Sequence, residues 1–215
     1  MEDKRVVRTK KLLRSALLTI CKGKPLVEVS VKDVLAQAQV SRAAFYRHYR
    51  DLDDLAQEVW LSRMPYFSPP YPRLADYESP SQACHVLLDS IADELRFFKE
   101  NVNLAKGIAE NVGRSRYYLD SEESHMELLT TQMTTEYGPA ASFLGLRGED
   151  AARFIFAGQY ALIRQWICEG MARGIEEMCR MIAYIDLQCT AAVAGRAIEP
   201  YFLEAIRDWK MARDD

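Results

Sequence analysis

Residues 30–49, SVKDVLAQAQVSRAAFYRHY, constrain the fold more than any other stretch of the chain. Ser30 is placed to cap a short helix, and Asp33 three residues on completes a capping-box spelling. Val31, Val34, Leu35 and Ala38 recur at i, i+3, i+4 and i+7, a single apolar stripe. The break falls at Ala38-Gln39-Val40, after which Ser41 caps a second helix expected over Arg42–Tyr49. Its inward residues, Phe45 and Tyr49, sit four apart and belong to a core. Its other faces carry Arg42, Ala43, Ala44, Tyr46, Arg47 and His48, with no carboxylate among them. A helix lying in a DNA major groove needs that mixture: small residues for close approach, and cations and donors for base edges and phosphates.

The charge of the chain is divided accordingly. Residues 1–50 hold 12 Lys+Arg against 4 Asp+Glu, a net of +8, whereas the remainder holds 16 against 27, a net of −11. A basic head on an acidic body points to a protein in which only the head meets phosphate. The lead segment fits this picture. Leu13, Ala16, Leu17 and Ile20 mark an amphipathic helix from Arg8 that ends at Gly23, with Pro25 beyond. Residues 1–7 read as a charged arm, and Lys4, Arg5 and Arg8 either touch the sugar-phosphate backbone or are simply solvated.

The stretch from Arg8 to about Trp60 resembles the DNA-binding domain of TetR-family transcriptional repressors. The resemblance is carried by RTKKLLRSALLTIC, by VSVKDVLAQAQVS, and by FYRHY followed by LDDLAQEVW. It implies a cytoplasmic bacterial repressor that binds double-stranded operator DNA as a homodimer. By matched position, Arg42, Ala43 and Ala44 are the expected base readers. Ser30, Ser41, Tyr46 and His48 are expected at phosphates, with Lys32 and Arg47 as weaker candidates. For Tyr46 the plain alternative is packing on the lead helix, and for His48 simple surface exposure. The family commonly has a phosphate-contacting lysine one residue past the cap of the fourth helix. Here Asp51 is that cap and Leu52 stands in the lysine's place, with Asp53 and Asp54 beside it.

Further along, Asp51 opens a helix through Leu55 and Val59 to about Met64. Five prolines (Pro65, Pro69, Pro70, Pro72 and Pro80) then interrupt any helix. The expected division is a head over residues 1–64, a connector over 65–80 and a helical body over 81–215. Helical spacing marks Ser81–Asn101, Val102–Val112, Tyr117–Tyr137, Glu149–Arg173, Ile175–Gly195 and a tail from Pro200. No sustained period-2 alternation appears, so the fold class is all-α. The uncharged run Phe154–Ile163 stops at Arg164, far short of the about 18 residues a membrane span needs.

The body is expected to do two things. Residues 149–195 interleave Ala151, Ala152, Ala157, Gly158 and Ala161 with Phe154, Ile155, Tyr160, Leu162 and Trp166. One face can serve the core and another a partner subunit, unless both helices are buried within one subunit. The resemblance implies the former, a four-helix bundle between two copies. It also implies an effector cavity, for which His85, Phe97, Phe98, Asn103, Tyr117, Tyr118, Met126, Met133, Phe156, Tyr160 and Trp166 are candidate liners. Their aromatic and Met-rich character favours a flat or lipophilic small molecule.

Enzyme signatures are missing: no GxSxG, no Walker loop and no GxGxxG follows a strand pattern. Glu122 and His125 form one Glu-x-x-His, where a di-iron bundle needs two with two further glutamates. No catalytic residue, cofactor or metal is expected. Cys21, Cys84, Cys168, Cys179 and Cys189 form no CxxC pair and read as reduced thiols, a redox sensor being the alternative. The rival readings are a cytosolic helical enzyme, a helical protein-interaction module, and a degenerate regulator without an effector.

Overall fold

The structure, a computed structural model, describes residues 4–62, 78–110, 148–193 and 200–210, with positions 131 and 197 besides. Every regular element among them is helical. In order they are α1 (Lys4–Cys21), a 3-10 turn (Leu26–Glu28), α2 (Val31–Ala38), α3 (Arg42–Tyr46), α4 (Leu52–Leu61), α5 (Pro80–Glu100), α6 (Val102–Glu110), α7 (Gly148–Cys168), α8 (Ile175–Val193) and α9 (Pro200–Asp208). They form two compact units. The described residues of the first are 4–62 and 97–110, and those of the second are 78–96, 131, 148–193, 197 and 200–210. The proline-dense segment, the expected Tyr117–Tyr137 helix and the Glu122–His125 pair lie outside the described residues, Pro80 apart.

In the first unit α1 packs against α2 and α4, and α6 against α4, α1 and the 3-10 turn. Leu13, Ala16, Leu17 and Cys21 of α1, Val34 and Ala38 of α2, and Phe45 and Tyr49 form its core. Helix α4 is buried from Asp54 to Leu61, because α1 and α6 both lean on it. Its Trp60 ring lies 4.5 Å from that of Phe98. At the centre sits the Glu58 carboxylate, which accepts from the Tyr49 hydroxyl on Oε2 and from Arg14 Nη1 at 3.2 Å on Oε1. Lys10 Nζ approaches it at 3.8 Å. A buried carboxylate is tolerated only when surrounded by such partners. Glu58 therefore ties α1, α4 and the chain after α3 to one point.

Helix α6 is fastened by two contacts of opposite kind. Asn103 Nδ2 donates to the Cys21 carbonyl at 3.0 Å, satisfying one of the orphan carbonyls at the end of α1. One turn on, Gly107 leaves room for Leu26, whose Cβ would lie 2.5 Å from a Cβ added there. Any side chain at Gly107 would push the 3-10 turn away.

Several boundaries differ from expectation. Helix α1 begins at Lys4, not Arg8, since no Gly or Pro interrupts residues 4–8 and Thr9 Oγ1 bonds back to the Arg5 carbonyl at 2.9 Å. Lys4 and Arg5 are thus helical residues and not part of an arm. Helix α4 closes at Leu61, where Ser62 is its C-cap.

In the second unit α7 packs against α8, and α8 against α9. Helix α7 ends at Cys168, five residues before the expected Arg173, because Gly170 and Met171 adopt positive φ of 80° and 58°. The Met171 amide then reaches back to the Trp166 carbonyl at 2.8 Å, closing the helix in a Schellman-like turn. Trp166 Nε1 donates to the Arg173 carbonyl at 3.0 Å, pinning the link. Trp209 fastens the C-terminal end. Its Nε1 donates to Asp89 Oδ1 on α5 at 2.9 Å, and its carbonyl accepts from Arg180 Nη2 on α8 at 2.7 Å. No described helix is long and apolar enough to cross a membrane.

Removing only the Tyr49 hydroxyl leaves a buried carboxylate one partner short. Tyr49→Phe is expected to destabilise the head by about 1.5–3 kcal/mol, read as a lowered urea midpoint of its unfolding transition at unchanged slope.

Candidate nucleic-acid interface

The α2–turn–α3 unit is built by two caps and one strained residue. Ser30 and Asp33 make the full capping box: Ser30 Oγ accepts from the Asp33 amide at 3.2 Å, and Asp33 Oδ2 accepts from the Ser30 amide at 2.9 Å. The Ser30 hydroxyl also donates to Asp33 Oδ2 at 2.9 Å, so its hydrogen is turned inward. Lys24 Nζ adds a contact at 3.4 Å. The backbone hydrogen bond from Ser30, then its hydroxyl, hold the Asp33 carboxyl below its ordinary value. A depressed carboxyl stabilises the fold above its unfolded pKa, and that contribution is lost as pH falls through the folded one. Acid therefore loosens this cap first from the carboxylate side.

Helix α2 stops at Gln39, whose φ of 53° is left-handed, and its amide bonds to the Leu35 carbonyl. Ser41 then caps α3, its Oγ accepting from the Ala44 amide at 3.2 Å. Helix α3 is shorter than expected, ending at Tyr46 and not Tyr49. The His48 and Tyr49 amides both turn to the Phe45 carbonyl, at 2.9 and 3.0 Å, which tightens the last turn. Asp51 caps α4 directly afterwards, accepting from the Asp54 amide at 2.8 Å, so there is no length left for a longer α3.

This geometry divides the residues by side. Phe45 and Tyr49 are buried, their rings 5.5 Å apart. Ser30, Lys32, Ser41, Arg42, Ala43, Tyr46 and Arg47 are exposed, and Ala44 and His48 half-buried. Tyr46 is 46% exposed, with its ring edge-on to Phe45 at 5.3 Å. The Arg42 guanidinium lies 5.4 Å over the Tyr46 ring, a cation–π contact that holds the long side chain along the outer face. Asp54 does not face outward; it is buried, accepting from the Arg50 amide at 3.0 Å and from Arg50 Nε at 3.2 Å. Of the two carboxylates that follow Leu52, only Asp53 is partly at the surface.

The described candidate effector residues fall in both units. Phe98 and Asn103 belong to the first unit, engaged by Trp60 and by the Cys21 carbonyl. In the second unit His85 is exposed, and Trp166 is buried at the end of α7. Phe156 and Tyr160 come together on α7, nearly parallel at 6.4 Å. Tyr117, Tyr118, Met126 and Met133 lie outside the described residues. No three or more His, Cys, Asp or Glu side chains among the described residues are placed to hold a metal. Burial pushes the thiols of Cys21 and Cys84 up to about 11 and that of Cys179 up to about 12, which disfavours the reactive thiolate there. Sequence reasoning missed Glu58, Lys10 and Arg14, whose pairing across 44 residues no local spacing signals. It also missed the buried Glu94, Gln159 and Asp186 of the second unit.

A capped helix-turn-helix leaning on a long α1, joined to a helical body, is a known class of architecture. A TetR transcriptional regulator from Rhodococcus sp. RHA1 superposes with a TM-score of 0.55 at 14% identity, covering 86% of this chain and 95% of that one. Full-length TylP, a TetR regulator from Streptomyces fradiae, gives 0.52 at 15% identity, covering 94% and 98%. No family model matches the sequence, and no curated protein is significantly similar to it. The fold is that of TetR-type regulators.

Relieving the one left-handed non-glycine residue of the turn tests this description. Gln39→Gly should raise the stability of the head by about 1 kcal/mol, measured as a higher urea midpoint.

Proposed function

We propose that the protein is a DNA-binding transcriptional regulator, a repressor that binds a palindromic operator as a homodimer and is released by a small lipophilic or aromatic effector. The observation that carries the reading is the outer face of α3, exposed, cationic and without a carboxylate, on a helix anchored from behind by Phe45 and Tyr49. Arg42 reads a guanine edge, while Ala43 and Ala44 approach thymine methyls. Ser41, Tyr46 and His48 bond phosphates, with Lys32 and Arg47 adding charge. Ser30 contributes through its cap more than through a free hydroxyl, since that hydroxyl is given to Asp33. Residues 1–64 do the reading, 65–80 connect, and 81–215 sense and dimerise.

One α3 spans only a few base pairs, so two heads about 34 Å apart are needed for a specific site. The last two long helices, over about 149–195, supply the pairing surface. In support, α7 exposes Phe154 (64%) together with Ala157 and Ala161, and α8 exposes Tyr184. Gly158 lies half-buried on the same helix, with nothing within 4 Å of where a Cβ would stand. Large rings beside small residues suit close helix packing.

The direct experiment is selection of duplexes from a random DNA pool, followed by release with small molecules. The expected product is a palindrome bound by a dimer; recovery of no duplex would favour a helical protein-interaction module. Arg42→Ala should cost about 1–3 kcal/mol and relax preference at one position of each half-site. Tyr46→Phe should weaken all sequences alike, with circular dichroism confirming that both variants fold. Phe154→Asp should shift the dimer toward monomer in analytical ultracentrifugation and lower operator affinity while leaving helical content unchanged.

A further inference from the structure

Helix α3 is so short that Arg42 opens it and Tyr46 closes it, and the two side chains meet along its outer face. Residues four apart share a helix face, and helical side chains lean back toward the N-terminus, which carries the Tyr46 ring to Arg42. The guanidinium carbon stands 5.4 Å from the ring centroid, within cation–π range. The ring is itself braced from behind. It meets the buried Phe45 ring edge-on at 5.3 Å, and Phe45 packs in turn on the buried Tyr49 at 5.5 Å. Arg42 has no carboxylate partner among the described residues, so the ring is what orients its charge.

We infer that Tyr46 is a positioning residue for base recognition: its ring holds the Arg42 guanidinium in the attitude from which it reads guanine. Sequence preference at that base pair then depends on the ring, while the hydroxyl serves affinity for any duplex. This deepens, and rests on, the reading of α3 as a DNA-reading helix. A guanidinium over an aromatic ring engages it through its charge and its face, which leaves the N–H donors along its edge for other acceptors. Guanine offers O6 and N7 side by side in the major groove, and that edge matches them as a pair.

Holding the side chain matters because a free arginine beside a duplex has another place to go. Phosphate oxygens line both edges of the groove and accept a guanidinium whatever the sequence. An exposed arginine also loses many rotamers when it is fixed on one base. A ring beneath it acts against both. With guanine opposite, the donors are already in place and less entropy is lost. With a wrong base opposite, the held guanidinium does not swing away to a phosphate, and its donors go unsatisfied. Arg47 supplies the contrast: it is also exposed, but no ring lies under it among the described residues. It belongs with the sequence-independent charges.

The full-length protein and its Tyr46→Phe, Tyr46→Leu and Arg42→Ala variants are titrated with the selected duplex and with duplexes altered one base pair at a time. The readout is the ratio of affinities for right and wrong base at the position whose preference Arg42→Ala removes. Tyr46→Phe should keep the wild-type ratio, and Tyr46→Leu should lower it about two- to fivefold, the worth of an exposed cation–π contact. Ratios at other positions should hold, and Tyr46→Leu added to Arg42→Ala should lower the ratio no further. Without DNA, proton NMR of wild type and Tyr46→Phe should show the Arg42 δ-methylene and Nε–H signals moved upfield by the ring, and Tyr46→Leu should return them to ordinary positions. If circular dichroism shows Tyr46→Leu unfolded, Tyr46→Met takes its place. An unchanged ratio in the folded variant, an equal loss in Tyr46→Phe, or the same loss at every position overturns the positioning role. The two claims fail separately. Preference that needs Arg42 but not the ring removes the positioning role alone, whereas ring-shifted Arg42 signals in a protein that prefers no duplex remove the DNA-reading role on which it rests.

Discussion

The head of this protein is organised around one buried carboxylate. Glu58 sits on a helix covered on both sides, and it is stable there because Tyr49, Arg14 and Lys10 converge on it. The partly exposed cations contribute modestly, as screened pairs do. The Tyr49 hydroxyl is the partner that cannot be replaced by water. Because Tyr49 closes the turn after α3, and Arg14 belongs to α1, the orientation of α3 is fixed from its inner side. The outer side is then free of structural duty. Arg42, Ala43, Tyr46 and Arg47 can be chosen for what they touch, the freedom that the proposed DNA-reading role requires.

Helix α6 is fastened to this platform by contacts within the first unit. Asn103 caps the end of α1, Gly107 admits Leu26, and Phe98 at the end of α5 lies on Trp60 of α4. These three contacts hold α6 and the end of α5 against both ends of the α1–α4 frame.

Most of the α2–α3 unit was legible because its signals are local. The Ser30–Asp33 box, the Ser41 cap and the Phe45/Tyr49 pair each depend on residues three or four apart, and each is found where the spacing puts it. Boundaries were less legible. Helix α7 stops at Cys168 because Gly170 and Met171 turn left-handed, and a methionine carries no such warning. The start of α1 at Lys4 was hidden by charges that look like an arm but contain no helix breaker. Long-range pairings were not legible at all. Glu58 with Arg14, Asn103 with Cys21, and Gln159 with Asp186 join residues 44, 82 and 27 apart, and no periodicity encodes them. The candidate effector residues carried no local signal of this kind: aromatic residues at helical spacing are mostly core, and among the described ones Phe97 meets Phe98 at 5.6 Å and Phe156 meets Tyr160 at 6.4 Å.

The central claim is that the acid-free outer face of α3 meets a nucleic-acid duplex. Its most direct measurement is the affinity of the purified protein for its selected duplex between 50 and 200 mM salt, beside a scrambled duplex of equal length, conditions over which phosphate contacts weaken about 10³–10⁵-fold when six to ten are made. The account predicts a linear fall of log affinity with log salt for both duplexes, with the selected one preferred throughout. Equal, salt-insensitive affinity for the two, or no binding to either at the lowest salt, contradicts it.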